Sequence, residues 1–245
     1  VSDKPTWCVV IGPYRTASTT QYQIVRDLVQ ETQSGKGVGY YDQRRWKVKN
    51  FDDPKHGKVI VVKNFEYLPE KDPKVRAFFD QSRLIACGTI RNPLDIATSM
   101  KLHSIRLGND DWSFEETVTE FFPVWLGNFE TWVEKLGSKR IIILRYEWYT
   151  THLLEAVKSL AEFLPLERPV DGDLAATIAT RYSKEGIMCR KTKNHEEGKK
   201  EDEWLPSIPP IVTGRSNAYQ EYLTPDEIEL VKDANMNFMR RWDYV

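Results

Sequence analysis

Arg15-Thr16-Ala17-Ser18-Thr19-Thr20 places one guanidinium and four hydroxyls in a short turn, after the apolar run Trp7–Gly12 and before a helix-like pattern from Gln21. The first N–H groups of a helix lack intrahelical partners, and the macrodipole adds partial positive charge there. An arginine and several hydroxyl donors at that point suit a phosphate or a similar oxyanion. The turn is not a Walker A loop, which would need glycine and lysine where Ala17 and Ser18 stand. A second constellation, Arg91-Asn92-Pro93-Leu94-Asp95 with Ser99, follows the apolar run Leu84–Ile90. Its arginine falls at the carboxyl end of a strand, where open α/β sheets place ligands. Ser99 lies eight residues on, about two helical turns away. A guanidinium offers a planar fork to phosphate, and a serine hydroxyl can donate to another oxygen. Asp95 is better suited to orienting a neighbour than to meeting an anion. Read alone, this second segment is equally a capped helix with a salt-bridged arginine.

The elements that must position these groups are legible as hydrophobic runs. Strand-length stretches recur at 7–12, 59–62, 84–90 and 141–144, rich in Val and Ile and without alternation. Such runs suit strands buried on both faces of a parallel sheet. Helical patterns lie between them. Ile24, Val25, Leu28 and Val29 share one face, and Pro93 opens a candidate helix to about Arg106. Ser113-Phe114-Glu115-Glu116 has the form of a capping box at the start of a long helix ending near Gly137. Leu153–Phe163 is another helix, and Thr224-Pro225-Asp226-Glu227 caps the last one. Strands alternating with helices predict a single α/β domain over residues 1–245, with a central, mainly parallel sheet flanked by helices. Residues 33–58 read as a surface excursion. Residues 183–217, with a charge run and three prolines, read as a lid loop.

Composition narrows the partners. The 245 residues carry a formal net charge of -1, so no overall basic field points to nucleic acid or to an anionic membrane surface. No apolar run approaches the roughly 20 residues of a membrane span, and nothing resembles a signal peptide. Three scattered cysteines form neither a disulfide framework nor a zinc site. Cys8 and Cys87 sit in apolar runs as small core side chains. A reducing, cytoplasmic setting and a site without metal are the expectations. The oligomeric state is not legible.

Taken together, the two constellations resemble the PAPS-dependent sulfotransferase family. Arg15-Thr16-Ala17-Ser18-Thr19 looks like its 5′-phosphosulfate loop, and Arg91-Asn92-Pro93-x-Asp95-x-x-x-Ser99 like its 3′-phosphate motif. Leu144-Arg145-Tyr146-Glu147 resembles the family's Tyr-Glu element, whose tyrosine lies near the nucleotide. Glu162–Leu166 resembles the Phe-Leu-Gly that follows it. The stretch from Gly214 to Thr224 resembles the closing Gly-x-x-x-x-Trp-x-x-x-x-Thr, with Tyr219 in the tryptophan position. The resemblance implies a P-loop-like α/β fold and transfer of a sulfuryl group from PAPS to a hydroxyl or amine of a small-molecule acceptor, releasing PAP. It implies nucleotide contacts from Arg15, Thr16, Ala17, Ser18, Thr19, Thr20, Arg91, Ser99, Tyr146, Gly214 and Arg215.

The chain also departs from the family. Where the cytosolic branch has Lys-Thr-His with a basic histidine, this sequence reads Lys63-Asn64-Phe65-Glu66. Lys63 keeps its place. Glu66, one residue beyond the histidine position, is a candidate base if burial raises its pKa; as a solvated surface glutamate it would be inert. His103, four residues past Ser99 and on the same helical face, is the competing base. The family's closing Arg-Lys-Gly reads Val212-Thr213-Gly214, with Arg215 or Arg190-Lys191 as substitutes. Of eight tryptophans, most suit packing, and Trp112 and Trp204 suit an acceptor-pocket wall. A nucleotide or small-molecule kinase of related fold is the rival enzyme, lacking its Walker lysine. A nucleotide-binding relative without catalysis is the rival non-enzyme, supported by the missing histidine.

Overall fold

A computed structural model describes residues 5–40, 57–64, 83–189 and 215–245. Five parallel strands form one sheet in the order β2-β3-β1-β4-β5. They are β1 (Thr6–Ile11), β2 (Gly35–Tyr40), β3 (Val59–Lys63), β4 (Leu84–Ile90) and β5 (Ile141–Arg145). The first strand lies at the centre, so the chain passes outward to β2, returns through β3, and crosses β1 to reach β4 and β5.

Alternate β1 side chains serve two cores, as the period of a strand requires. Trp7, Val9 and Ile11 face a layer made by α2 (Pro93–Leu107), α3 (Phe122–Leu136) and α8 (Pro225–Arg241), where Ile96, Phe122, Phe129, Trp132 and Phe238 are buried. Cys8 and Val10 face α1 (Ser18–Glu31), α5 (Leu153–Phe163) and α6 (Gly172–Tyr182). Both faces of the sheet are covered, which is why its strands read as continuous apolar runs. The Cys8 and Cys87 sulfurs lie 3.6 Å apart in this core as free thiols. Between α6 and α8 stands the short α7 (Tyr219–Tyr222), and α4 (Tyr146–Thr151) follows β5 directly.

The helix expected from Ser113 to Gly137 is present but not uniform. Ser113 caps Phe114–Glu116 by accepting from the Glu116 N–H at 3.1 Å, a π-helical turn spans Thr117–Phe121, and α3 ends at Gly137. Such turns shift the register of side chains on a helix face and often occur beside functional sites.

The excursion expected over 33–58 needs correction at its start, because Gly35–Tyr40 is the edge strand β2. Its glycines obscured it. A Cβ at Gly37 would stand 2.5 Å from Arg26 Cγ and 2.8 Å from the Tyr22 hydroxyl, so glycine marks the close passage of α1 over the strand. The lid expected over 183–217 is helical over 184–189, and its central part lies outside the described residues. No described helix is long and apolar enough to cross a membrane.

Candidate active site

Most of the described site residues stand at the carboxyl end of a strand, while Ser99 and His103 lie on α2 and Arg215 lies shortly before α7. Arg15 to Thr20 follow β1, Lys63 ends β3, Arg91 follows β4, and Tyr146 follows β5. In a parallel sheet these ends lie along one edge, and the reversal of strand order around β1 opens a crevice there.

The β1–α1 turn is held in an unusual backbone shape. Arg15 and Ala17 have φ of 65° and 64°, a left-handed conformation that costs a non-glycine residue of order 1 kcal/mol and needs support from its surroundings. Support comes from Thr16, fully buried, whose hydroxyl donates to the Pro13 carbonyl at 2.8 Å and lies 3.1 Å from the Thr89 hydroxyl. Gln21 Nε2 donates to the Gly88 carbonyl at 3.2 Å. Gly12 leaves no room for a Cβ, which would fall 2.7 Å from Thr89 Oγ1. Ala17 caps α1 without a side-chain hydrogen bond, and no acidic residue occupies the first turn. The N–H groups of this helix start are therefore left to an anion. The Thr16 hydroxyl, expected to face an anion, braces the loop from inside instead, because it is engaged by Pro13 and Thr89. Ser18 is buried, while Thr19 and Thr20 are half-exposed.

Three cations converge on this helix start. Arg15 Nε donates to Ser99 Oγ at 2.9 Å. Burial, reinforced by the Arg91 charge, pulls the Arg15 guanidinium down to about 10, so it stays protonated at neutral pH. Lys63 Nζ donates to Thr19 Oγ1, and burial lowers its amine to about 7. Arg91 is 4% exposed. Its guanidinium lies 4.0 Å above the Tyr146 ring and donates to the Arg15 and Arg215 carbonyls, each at 3.2 Å. Its Nε is buried without a hydrogen-bond partner among the described residues. A buried and a half-buried guanidinium with a buried amine, at an uncapped helix start, make a site for a polyanion.

Partners far apart in sequence hold this arrangement. Asn92 caps α2, accepting from the Leu94 N–H at 3.0 Å, and its own N–H donates to Glu147 Oε1 at 3.1 Å. Asp95 accepts from the Asn217 N–H at 2.9 Å, which brings 215–217 against the start of α2. Arg215 is thus near Arg91 through its backbone, whereas its exposed side chain pairs with Glu221 at 2.8 Å; the side-chain contact expected of Arg215 is engaged elsewhere. Asp95 thus orients a neighbour, as its type and place suggested, whereas Asn217 as its partner and Glu147 as the partner of Asn92 escaped sequence reading, which had only the Tyr-Glu pair as a signal. A cleft of about 250 Å³ beside Tyr146 is lined by Asn92, Arg145, Glu147, Trp148, Asn217 and Tyr244.

The candidate bases separate. His103 is half-buried on α2; burial first, then the Arg15 and Arg106 charges, lowers its pKa. Its Nδ1 is buried without a partner among the described residues. Glu66, Gly214, Arg190, Lys191 and Trp204 lie outside the described residues. Trp112, expected on an acceptor wall, packs edge-on against Phe114 at 5.9 Å. Among the described residues Trp125 adjoins the anion loop, its ring centroid 4.5 Å from that of Tyr14.

Comparison with known structures finds the same architecture. Retinol dehydratase in complex with androsterone and the inactive cofactor PAP matches with a TM-score of 0.63 and 13% identity, over 96% of this chain and 81% of that one. Mouse sulfotransferase SULT7A1 complexed with PAP matches with a TM-score of 0.65 and 14% identity, over 98% and 86%. At such identities the likeness is one of fold. No curated protein sequence matches significantly. The profile of the sulfotransferase domain family, in contrast, matches residues 8–243. Because that match runs from β1 through the last helix, the chain belongs to the sulfotransferase domain family and is a PAPS-dependent sulfotransferase.

Proposed function

We propose that this enzyme transfers the sulfuryl group of PAPS to a hydroxyl (or amine) of a small-molecule acceptor in a single in-line step, without a metal. The observation that carries this reading is the joining of Arg15 and Arg91, one from each phosphate-type motif, through Arg91 Nη1 and the Arg15 carbonyl at 3.2 Å. A donor phosphorylated at both its 5′ and 3′ positions needs cationic groups for two phosphates on one sheet edge, and the buried Arg91 Nε, without a partner among the described residues, fits one of them. A kinase would instead need a Walker lysine in the loop, where Ala17 and Ser18 stand.

The donor supplies a sulfur held by an activated bond to a 5′-phosphate oxygen. As the acceptor oxygen bonds to sulfur, that S–O bond breaks and its electron pair stays on the departing phosphate. Charge grows there, and Arg15, Lys63 and the Ser18–Thr20 N–H groups offset it electrostatically. Arg91 and Ser99 grip the 3′-phosphate, with Tyr146 holding the Arg91 plane. The acceptor's proton passes to His103, whose pKa is lowered by burial first and then by the Arg15 and Arg106 charges, so that the neutral imidazole can receive it. Most of the acceleration comes from positioning.

Protection against thermal unfolding by PAP and by ATP tests the donor. PAP should protect at far lower concentration, and Arg91→Ala should weaken PAP by about 10- to 100-fold, the worth of a charge-assisted hydrogen bond. Tighter ATP than PAP binding, or unchanged PAP affinity in the variant, would refute the assignment. Transfer of labelled sulfate from PAPS across an acceptor panel separates an enzyme from a binding protein.

A further inference from the structure

Three successive residues from the end of β5 each take hold of a different part of the fold. Arg145 reaches the segment that follows α8. Its guanidinium lies 5.0 Å from the centroid of the Tyr244 ring, donates to the Trp242 carbonyl and approaches Asp243 Oδ2 at 3.5 Å. Tyr146 packs its ring against the Arg91 guanidinium at 4.0 Å. Glu147 accepts the Asn92 N–H through Oε1 at 3.1 Å, and its Oε2 lies 3.5 Å from the Tyr244 hydroxyl. Residues 242–245 arrive there by a local device. Asp243 has a φ of 53°, the Tyr244 N–H donates to the Met239 carbonyl at 2.9 Å, and the Asp243 N–H donates to the Arg240 carbonyl at 3.4 Å. These are the two bonds of a Schellman motif, and aspartate tolerates the left-handed conformation better than most residues. The turn sets Tyr244 against Arg145 and Glu147. Burial, then the Glu147 charge, pushes its phenol above the usual range, so it stays a donor.

We propose that Glu147 and Tyr244 are positioning residues for the 3′-phosphate: Tyr244 steadies the Glu147 carboxylate, Glu147 pins the Arg91–Asn92 peptide, and Arg91 is thereby aimed at that phosphate. The proposal rests on the PAPS reading above and adds residues that act through Arg91. The Asn92 N–H lies in one plane with the Arg91 carbonyl, so the carboxylate fixes the backbone from which the Arg91 side chain projects. Tyr146 fixes the far end of the same side chain. On charge alone, a carboxylate beside Asn92 opposes a phosphate held by Arg91. That sign separates a positioning role from a purely electrostatic one.

Calorimetric titration of the full chain with PAP and with adenosine 5′-monophosphate gives the worth of the 3′-phosphate as the ratio of the two affinities. Glu147→Ala should lower that ratio about tenfold, the worth of one charge-assisted hydrogen bond, with adenosine 5′-monophosphate affinity unchanged within about twofold. Glu147→Gln keeps an acceptor and removes the charge, so it should hold the ratio at or above that of the unaltered protein. Tyr244→Ala should lower the ratio in the same direction and add nothing in the Glu147→Ala background. Tyr244 is half-buried, so this variant carries the test if Glu147→Ala does not fold. An unchanged or raised ratio in either alanine variant, equal losses for both ligands, a loss in Glu147→Gln as large as in Glu147→Ala, or independent effects of the two substitutions would overturn the proposal and leave the donor reading standing. PAP binding no tighter than adenosine 5′-monophosphate binding to the unaltered protein would overturn the donor reading, and the proposal with it.

Discussion

Lys63 and His103 are two bases of opposite consequence. Burial holds the Lys63 amine at about 7, against roughly 10.4 for an exposed lysine. Between those values the unfolded chain binds more protons than the folded one, so this residue makes stability rise with pH through that window. For an anionic ligand the sign is reversed. Below pH 7 the amine is charged and attracts it, and above pH 7 binding must draw a proton. PAP affinity should therefore fall as pH rises above about 7, by at most about tenfold per unit, and Lys63→Met should flatten the curve in calorimetric titrations. His103, as the proposed base, would act on the other limb. Its pKa is lowered by burial and by Arg15 and Arg106, so kcat/KM should climb as pH rises through a value below 6.5 and then level off. His103→Gln should remove that limb and cost about 10²- to 10⁴-fold in turnover; an intact limb in the variant would pass the role to Glu66. Thr16 shows where residue-level reading stops. Its hydroxyl is equally a good anion donor and a good loop brace, and only the position of Thr89, on another strand, decides between them.

Helices and strands were legible where local chemistry and tertiary packing agree. Thr224 and Glu227 complete a capping box, the Thr224 hydroxyl accepting from the Glu227 N–H at 3.2 Å and Glu227 accepting from the Thr224 N–H at 2.8 Å. Lys101 on α2 also pairs with both Glu227 oxygens at 2.7 Å, so the cap joins two helices. Thr224→Ala should cost about 1 kcal/mol and lower Tm by about 2–4 °C, whereas Thr224→Ser should retain most of it; differential scanning calorimetry measures both. β2 was not legible, because Gly35-Lys36-Gly37-Val38-Gly39 has the composition of a loop and becomes a strand only where α1 crosses it. The π-helical turn at 117–121 was hidden for a similar reason: its residues keep ordinary helical periodicity, and the extra residue per turn is a matter of packing.

For the whole molecule, the site depends on ties that cross the fold. Asp95, 1% exposed, holds the Asn217 N–H, and Glu147 holds the Asn92 N–H. Asp95→Ala should speed hydrogen exchange at the Asn217 amide by about 10- to 100-fold, the worth of a hydrogen bond to a charged group, and should weaken PAP binding in parallel. Unchanged exchange would show that 215–217 is held by other contacts. By itself the sequence determined the α/β class, the strand-turn-helix around Arg15 and the Arg91–Ser99 helix, because strand and helix periodicity and phosphate-type motifs are properties of contiguous residues. The tertiary structure decided that the two motifs share one sheet edge, that Thr16 faces inward and the Arg215 side chain faces Glu221, and that Trp125 adjoins the loop through Tyr14. All but the Arg215–Glu221 pair, six positions apart, depend on strand order and on contacts between residues more than 70 positions apart. Such pairings carry no local signal, since each partner's residue type suits several environments and only the packed chain selects one.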